Sequence, residues 1–309
     1  MPLPKRVPRG YAIEPLGDVS AADAMQLAAL RDRCNSEDEL DLKVYVEAGR
    51  RPGTADDADI IIVRHAGQIV GCCTLDGYSE IELCGMVAPE HRRRGLGRAL
   101  LESARAACAR RSASRVLLIC EDGSAAGRSF LSAAEPRARL DFKELRMELV
   151  GPLPPAATSQ QGGETGTPAP PGVEVRAVGV EALEVVAQTQ AAVFGDNVEG
   201  VRWGVAQDMR NPHYRFYLAT RSGEPVSSLK VIFIEPRAYI YAFGVVPSAR
   251  GKGIGAAVLG EVVRRLHTEG WPRIALEVES ENGPALALYR RLGFRDVTTY
   301  GYYELPLPV

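Results

Sequence analysis

The sequence lacks any apolar run that approaches the ~20 residues needed to span a bilayer, and its basic N-terminus, MPLPKRVPRG, precedes no apolar stretch. We therefore expect a cytoplasmic protein with no membrane partner. Net charge is also nearly absent, with a formal value of −2 at pH 7. Such a small charge provides no overall field for attracting nucleic acid, so we expect no nucleic-acid partner.

Cysteine pairs with metal-binding or redox spacing are absent as well. None of the six cysteines forms a CxxC pair, and no histidine has metal-ligand spacing; the cysteines are Cys34, Cys72, Cys73, Cys84, Cys108 and Cys120. Because cysteine packs as a small hydrophobe, we expect buried, reduced thiols and no metal.

The length of 309 residues, with 46% apolar and 25% charged residues, predicts a globular chain of two domains. A stretch rich in Pro, Gly, Ser and Thr separates the halves and predicts a flexible linker over 151–172. The predicted domains are 1–150 and 173–309.

Each half shows the same order of elements, which indicates an internal repeat. A strand and a helix precede a strand meander, and a long helix with apolar residues at helical spacing follows, as at Leu96, Leu100, Ala104 and Cys108. This order predicts an α/β fold with a mixed, mostly antiparallel sheet flanked by helices in each domain.

The densest chemical signal is a pair of glycine-rich strand-to-helix junctions. VAPEHRRRGLGRALL at 87–101 and VVPSARGKGIGAAVL at 245–259 align without a gap, so that Arg92, Gly95 and Gly97 match Arg250, Gly253 and Gly255. Unpaired amides at a helix N-terminus, approached through glycine and flanked by basic residues, favour binding of a pyrophosphate.

A dinucleotide-binding turn is the competing interpretation, because Gly251, Gly253 and Ala256 satisfy GxGxxA. Three observations oppose it. Four residues separate the strand from the first glycine, the first copy has Arg93 in place of that glycine, and a meander precedes the turn rather than a βαβ unit.

Downstream, LEVESENGPALALYRRLGF at 276–294 contains Asn282, Ala285 and Tyr289, followed by a Gly-Phe pair. Together with V-x-P-x-x-R-x-x-G-x-G, this resembles the GCN5-related N-acetyltransferase (GNAT) superfamily. The resemblance covers most of the second half and, more weakly, the first. The tandem layout is similar to that of the mycothiol synthase group.

The resemblance implies that a substrate amine attacks acetyl-CoA directly. It implies that the Val245 N–H binds the acetyl carbonyl, that Asn282 contacts the pantetheine arm, and that Tyr289 protonates the departing thiolate. The cofactor-binding residues that it implies in the second half are Val245, Val246, Arg250, Gly251, Lys252, Gly253, Ile254, Gly255, Asn282 and Tyr289. In the first half they are Val87, Arg92, Arg93, Arg94, Gly95 and Gly97.

The first half departs from the family pattern downstream of its turn. Ser124 stands at the position of Asn282, and Leu131 stands at that of Tyr289. Without the phenol, we expect the first domain to be non-catalytic, serving either to bind CoA or to support the second domain, which we expect to catalyse.

The general base and the acceptor are less well defined. Relatives often carry an acidic residue where this chain has Tyr239, so Glu277 and Glu279 are the candidate bases. Tyr239, Tyr241, Tyr300, Tyr302 and Tyr303 either line an acceptor pocket or pack within strands, and 194–203 is a candidate pocket loop. The acceptor is a small-molecule amine or a protein amino group, and the alternative function is a non-catalytic acyl-CoA sensor.

Overall fold

The computed structural model describes residues 7–44, 46, 59–77, 80–111, 113, 115–151, 170 and 172–305. Contacts divide the chain into a first unit, Met1–Glu144 with Thr298–Val309, and a second unit, Leu145–Val297. The predicted linker lies outside the described residues except at 151, 170 and 172. No helix in the described ranges is long and apolar enough to cross a membrane.

Within its described residues, the first unit combines a strand meander with three α-helices. In chain order these are β1 (Tyr11–Leu16), α1 (Ala21–Asp38), β2 (Ile60–His65), β3 (Gln68–Asp76), β4 (Glu80–Val87), α2 (Leu96–Arg110), β5 (Arg115–Glu121) and α3 (Ala125–Ala134). The next strand, β6 (Arg139–Val150), begins in the first unit and ends in the second.

The second unit repeats this order with one additional helix. Its elements are β7 (Val173–Val178), α4 (Leu183–Phe194), α5 (Val198–Asp208), β8 (Tyr214–Arg221), β9 (Glu224–Ile234), β10 (Arg237–Val245), α6 (Ile254–Thr268), β11 (Arg273–Glu279), α7 (Gly283–Arg291) and β12 (Arg295–Glu304). Most of β12 belongs to the first unit, which resumes at Thr298.

The two units have equivalent strand orders. The order is β1-β2-β3-β4-β5-β12 in the first unit and β7-β8-β9-β10-β11-β6 in the second. The first four strands of each order are antiparallel, and the fourth and fifth are parallel. The predicted mixed, mostly antiparallel α/β fold is confirmed, and the meander before each turn excludes the dinucleotide-binding topology.

The helix after each turn buries one apolar stripe against its sheet. In α2 the residues predicted from spacing, Leu96, Leu100, Ala104 and Cys108, are all buried, and in α6 the equivalent residues are Ile254, Val258, Val262 and Leu266. Fully burying one such large aliphatic side chain contributes about 1.5–3 kcal/mol. All six cysteines are buried free thiols, as expected.

The strand β12 is anchored in the first unit by partly buried polar contacts. Tyr302 hydrogen-bonds Lys43 and Glu144, and the Lys43 ammonium also lies 5.0 Å from the Tyr302 ring centroid. The Thr298 hydroxyl donates to Glu121 Oε1 at 2.6 Å. These partners place β12 beside β5, with which it pairs antiparallel.

The contact division therefore differs from the domain ends predicted from the repeat. A repeat in the sequence assigns β6 to the first half and β12 to the second because it follows chain order. In the structure, Leu145–Val150 belongs to the second unit, and Thr298–Val309 belongs to the first. A sheet edge accepts any strand that offers matching N–H and C=O groups, so chain order does not determine its partner.

A chain that ends at Val297 tests this assignment, because it lacks the part of β12 that pairs with β5. We expect hydrogen exchange to accelerate in peptides from β5, while peptides from β8 and β9 keep nearly full-length protection. Hydrogen-exchange mass spectrometry measures both regions in one sample. An equal loss of protection in β8 and β9 would contradict the assignment of β12 to the first unit.

Candidate active site

The second unit opens between β10 and β11. Their parallel pairing ends at Ile240↔Leu276, although β10 continues to Val245. The register of β10 with β9 shifts between Tyr241 and Gly244, which marks a β-bulge. Because a bulge bends its strand, β10 turns away from β11 and leaves the second-unit cleft at their C-terminal ends.

The backbone N–H of Val245 faces this cleft. The following residue, Val246, donates its N–H to Val226 O at 3.0 Å on the β9 side. Since successive N–H groups of a strand point to opposite edges, the Val245 N–H points to the β11 side, beyond the last paired residues. A donor in this position can stabilise a carbonyl oxygen that gains negative charge.

The turn after β10 leaves helical amides open at the same end of the strand. Gly251 and Gly253 have φ values of 71° and 74°, in the left-handed region that glycine adopts without strain. Helix α6 has no side-chain cap, and the Ala257 N–H bonds Gly253 O at 3.2 Å. The preceding amides of Ile254 and Gly255 have no intrahelical acceptor and can bind a phosphate.

The basic residues of this turn are oriented differently from the sequence interpretation. Arg250 donates from Nε to Val245 O at 2.9 Å and from Nη2 to Val193 O at 2.8 Å. Arg250 therefore ties the end of β10 to the last turn of α4, where carbonyls lack helical partners, and its predicted contact with the cofactor stays a prediction. Lys252 is exposed and donates to Ser248 O at 2.9 Å, so it stays the candidate cation for a phosphate.

Tyr289 lies on α7 among aromatic side chains. Its ring centroid is 6.5 Å from that of Phe243 and 6.1 Å from that of Phe294. Burial raises the pKa of the Tyr289 phenol to about 12. No group in the described part of the chain hydrogen-bonds its hydroxyl. The phenol is therefore neutral at physiological pH and available to donate a proton.

Asn282 caps the helix that carries Tyr289. Its Oδ1 accepts a hydrogen bond from Ala285 N at 3.2 Å. The cap fixes the start of α7 and leaves the side-chain amide NH₂ as the group that can donate to a ligand.

The two candidate bases have contrasting environments. Arg146 on β6 donates from Nη2 to Glu277 Oε1 at 2.7 Å, and the two side chains are 0% and 4% exposed. Protonation of Glu277 would disturb this buried ion pair, so the geometry favours a structural role. Glu279, at the end of β11, is exposed.

The first unit has an equivalent opening, which we name the first-unit cleft. Pairing of β4 with β5 ends at Leu83↔Leu118, while β4 continues to Val87. Ala88 N donates to Val70 O at 2.9 Å, so the Val87 N–H faces the cleft by the same alternation. Unlike β10, β4 keeps a continuous register with its antiparallel neighbour up to Val87.

The first-unit turn reproduces the backbone of the second. Gly95 has φ 83°, and Arg93, at the position of the first glycine of the second turn, adopts φ 62°. Arg92 again points inward, with Nε 3.0 Å from Val87 O and Nη2 2.6 Å from Asp38 Oδ2. In this arrangement Arg92 holds the end of β4 and Asp38, and its predicted contact with the cofactor stays a prediction; the open amides at the start of α2 can also bind a phosphate.

Two further predicted residues belong to this turn: Arg94 lies at the surface, and Gly97 lies where α2 contacts α3. Arg94 is exposed, with Nη2 3.4 Å from Glu90 O, and it stays a candidate cation. A Cβ added to Gly97 would lie 3.2 Å from the Phe130 ring. The glycine therefore permits close packing of α2 on α3 at the cleft.

A cavity of ≈ 680 Å³ occupies the first-unit cleft. Residues of the turn, β4, β5 and α3 line it. Its volume lies within the about 300–1,000 Å³ of small-molecule sites. Open amides at one end and apolar walls at the other fit a ligand with a phosphate and an extended arm, as CoA has.

Downstream of the turn, the first unit keeps the cap but not the acid. Ser124 Oγ accepts from Gly127 N at 3.0 Å, as Asn282 does for α7. Leu131 lines the cavity at the position equivalent to Tyr289. The first-unit cleft consequently has no phenol at this position.

The predicted acceptor residues are divided between the units. Tyr239 and Tyr241 belong to the second unit, and Tyr300, Tyr302 and Tyr303 belong to the first. In the second unit, Tyr239 is 1% exposed, and its ring centroid lies 6.2 Å from that of Tyr241. The segment 194–203 is not a loop throughout, since α5 begins at Val198. An acceptor role for these tyrosines stays a prediction.

Each unit thus has a strand N–H facing a cleft beside an uncapped helix N-terminus, an arrangement that fits the class of acyl-CoA-dependent transferases. The model of the "Acetyltransferase (GNAT) family" matches residues 187–294, and that of the "Acetyltransferase (GNAT) domain" matches residues 56–134. The chain belongs to the GNAT acetyltransferase family. It carries two GNAT domains and is an acetyl-CoA-dependent N-acetyltransferase.

Relatives extend over nearly the whole chain. It is 30% identical to a mycothiol acetyltransferase of Streptomyces avermitilis over 92% of each chain. It is 28% identical to that of Clavibacter sepedonicus over 96% of this chain and 95% of the relative. Both relatives are named as acetyltransferases.

Solved structures share the tandem fold. A GCN5-related N-acetyltransferase from Sphaerobacter thermophilus has a TM-score of 0.70 at 20% identity, covering 98% of each chain. A tandem GNAT protein from the clavulanic acid biosynthesis pathway has a TM-score of 0.66 at 18% identity, covering 97% of this chain and 99% of its own.

Two features could not be seen in the motifs alone. One is the Arg146–Glu277 ion pair, and the other is that Gly85 in the first unit stands at the position of Phe243 in the second. The pair joins β6 to β11, which are far apart in sequence, so no local pattern reveals it. The ungapped alignment of the two turns, if extended two residues before Val87 and Val245, would have revealed the second difference.

Glu277→Ala and Glu279→Ala form a matched test of the two carboxylates. Because Glu277→Ala removes an acceptor from buried Arg146, we expect it to lower the free energy of unfolding by about 3 kcal/mol. Exposed Glu279→Ala should change it by less than about 0.5 kcal/mol. Urea denaturation measures both; equal small effects would contradict a structural role for the buried pair.

Proposed function

We propose that the second unit transfers acetyl from acetyl-CoA to an amine, with Tyr289 as general acid. One combination of groups carries this proposal. The Val245 N–H faces the cleft at the end of β10, the first amides of α6 are open, and the Tyr289 phenol on α7 is neutral and has no hydrogen-bond partner among the described residues. The first unit offers the equivalent strand N–H and amides but has Leu131 in place of the phenol.

Acetyl-CoA supplies an acetyl thioester, and the protein's part is to bind, orient and move protons. The amides of Ile254 and Gly255, together with Lys252, would hold the phosphates. The Val245 N–H would stabilise negative charge on the acetyl oxygen while the amine forms a C–N bond and the C–S bond breaks. The Tyr289 hydroxyl would then give its proton to the leaving thiolate.

The attacking ammonium must also lose a proton. Of the two candidate bases, exposed Glu279 is better suited than Glu277, which is occupied by Arg146. Tyr239 and Tyr241 would border the acceptor side of the cleft. The names of the relatives make a mycothiol-related amine the first acceptor to test, beside other small amines and a lysine peptide.

For the first unit we infer CoA binding without turnover. The cavity of ≈ 680 Å³ and the open amides of α2 support binding, and the absence of a phenol at Leu131 opposes catalysis. The alternative function, a non-catalytic acyl-CoA sensor, would then apply to the first unit alone.

Tyr289→Phe tests the assignment of the acid. Because the ring is retained, packing against Phe243 and Phe294 should persist, and acetyl-CoA affinity should stay within about twofold. Loss of a general acid should reduce kcat by about 10²–10⁴-fold. Release of free thiol with a panel of amines measures kcat, and calorimetry measures binding. Leu131→Phe is the matched control and should leave kcat unchanged.

The pH profile provides an independent readout for the same variant. Since burial raises the pKa of Tyr289 to about 12, the phenol stays protonated, and kcat should not fall from its ionisation until the pH approaches that value. Near-normal kcat in Tyr289→Phe, or a wild-type decline centred near pH 8 that Tyr289→Phe abolishes, would contradict its role as an acid with a pKa of about 12.

A further inference from the structure

The cavity in the first-unit cleft extends past the strand N–H that would hold a thioester. It is lined at the turn by Gly95 and Gly97 and reaches Cys73, Leu83 and Leu118 on the sheet. This end of the cavity lies beyond the place where an acetyl group bound at Val87 would finish. The extra space can hold an acyl group larger than acetyl.

Gly85 creates this space. Although it is in the middle of β4, this glycine is exposed, and it lines the cavity. The atoms nearest to a Cβ added there would be Cys72 O at 3.4 Å and Cys73 Cβ and Sγ at 3.9 Å, which is ordinary van der Waals contact. Gly85 lies two residues before Val87 and so shares its strand face.

The second unit has Phe243 at the equivalent position. Its ring centroid lies 6.5 Å from that of Tyr289, and its Cζ lies 3.7 Å from the point where a Gly255 Cβ would be. The Phe243 ring therefore occupies, between α6 and α7, the region that Gly85 leaves open between α2 and α3.

The charged residues that line the cavity, Asp38, Arg92, Arg93 and Arg98, lie on α1, the turn and α2, whereas its sheet end is lined by residues such as Cys73, Leu83 and Leu118. Burial raises the pKa of the Cys73 thiol and raises that of Cys120 to about 11, so both are neutral near pH 7. The carboxylate of Asp38, which also borders the cavity, is paired with Arg92. The walls at the sheet end favour hydrocarbon over a polar extension.

We propose that the first unit binds acyl-CoA with a saturated acyl chain longer than acetyl, and that the chain lies over Gly85. The inference rests on the CoA-binding role proposed above for the first unit. Phe243 restricts the second unit to short acyl groups. Each buried CH₂ should tighten binding at the first site by about fourfold, and six-carbon hexanoyl-CoA should bind there at least about tenfold more tightly than acetyl-CoA.

Calorimetric titration of the full chain with acetyl-CoA and hexanoyl-CoA tests this through stoichiometry. We expect two equivalents of acetyl-CoA and one of hexanoyl-CoA. Gly85→Phe should abolish hexanoyl-CoA binding while keeping two equivalents of acetyl-CoA, which also shows that the variant is folded. The reciprocal Phe243→Gly should raise hexanoyl-CoA binding to two equivalents, and Gly85→Val provides a smaller obstruction if Gly85→Phe does not fold.

Two results would overturn the inference in distinguishable ways. Two acetyl-CoA equivalents with hexanoyl-CoA binding at neither site or at both would reject the chain-length pocket and leave CoA binding by the first unit intact. A single acetyl-CoA equivalent, lost in Gly255→Leu, together with no hexanoyl-CoA binding, would reject both the pocket and the proposed CoA-binding role.

Discussion

The early end of the parallel pairing between β10 and β11 is the constraint on which the second-unit site depends. Pairing stops at Ile240↔Leu276, and the bulge before Gly244 bends β10 away from its neighbour. A fully paired β10 would use the Val245 N–H in the sheet and would close the space between the strand ends. The end of β10, which does not pair with β11, instead provides the N–H donor and one wall of the cleft into which this donor points.

The two units share the strand order and the turn conformation but differ in a few side chains at the cleft. Arg250 and Arg92 each bind the last carbonyl of the strand before their turn, which explains why an arginine occupies the same place in both copies. The two units differ in residues that face the cleft. Leu131 stands where the second unit has Tyr289, the proposed acid, and Gly85 stands where it has Phe243.

Much of the fold could be predicted from sequence because its signals are local. The apolar spacing in α2 and the two glycine-rich turns involve residues within a few positions of one another. The pairing of β12 with β5, and of β6 with β11, joins strands that are far apart in sequence. The ion pair of Arg146 on β6 with Glu277 on β11 depends on the second of these pairings. Side-chain direction was also outside the reach of the sequence: a basic residue at a phosphate turn can face the ligand or, like Arg250, the strand behind it.

The central claim is that the two units bind CoA while only the second performs transfer. Gly97→Leu and Gly255→Leu place the same obstruction at equivalent points, where a Cβ would already lie 3.2 Å from Phe130 and 3.4 Å from Leu288. Acetyl-CoA stoichiometry and turnover should be measured together for both variants. The account predicts that each loses one equivalent and that turnover falls only in Gly255→Leu. Loss of turnover in Gly97→Leu, with full activity in Gly255→Leu, would contradict it.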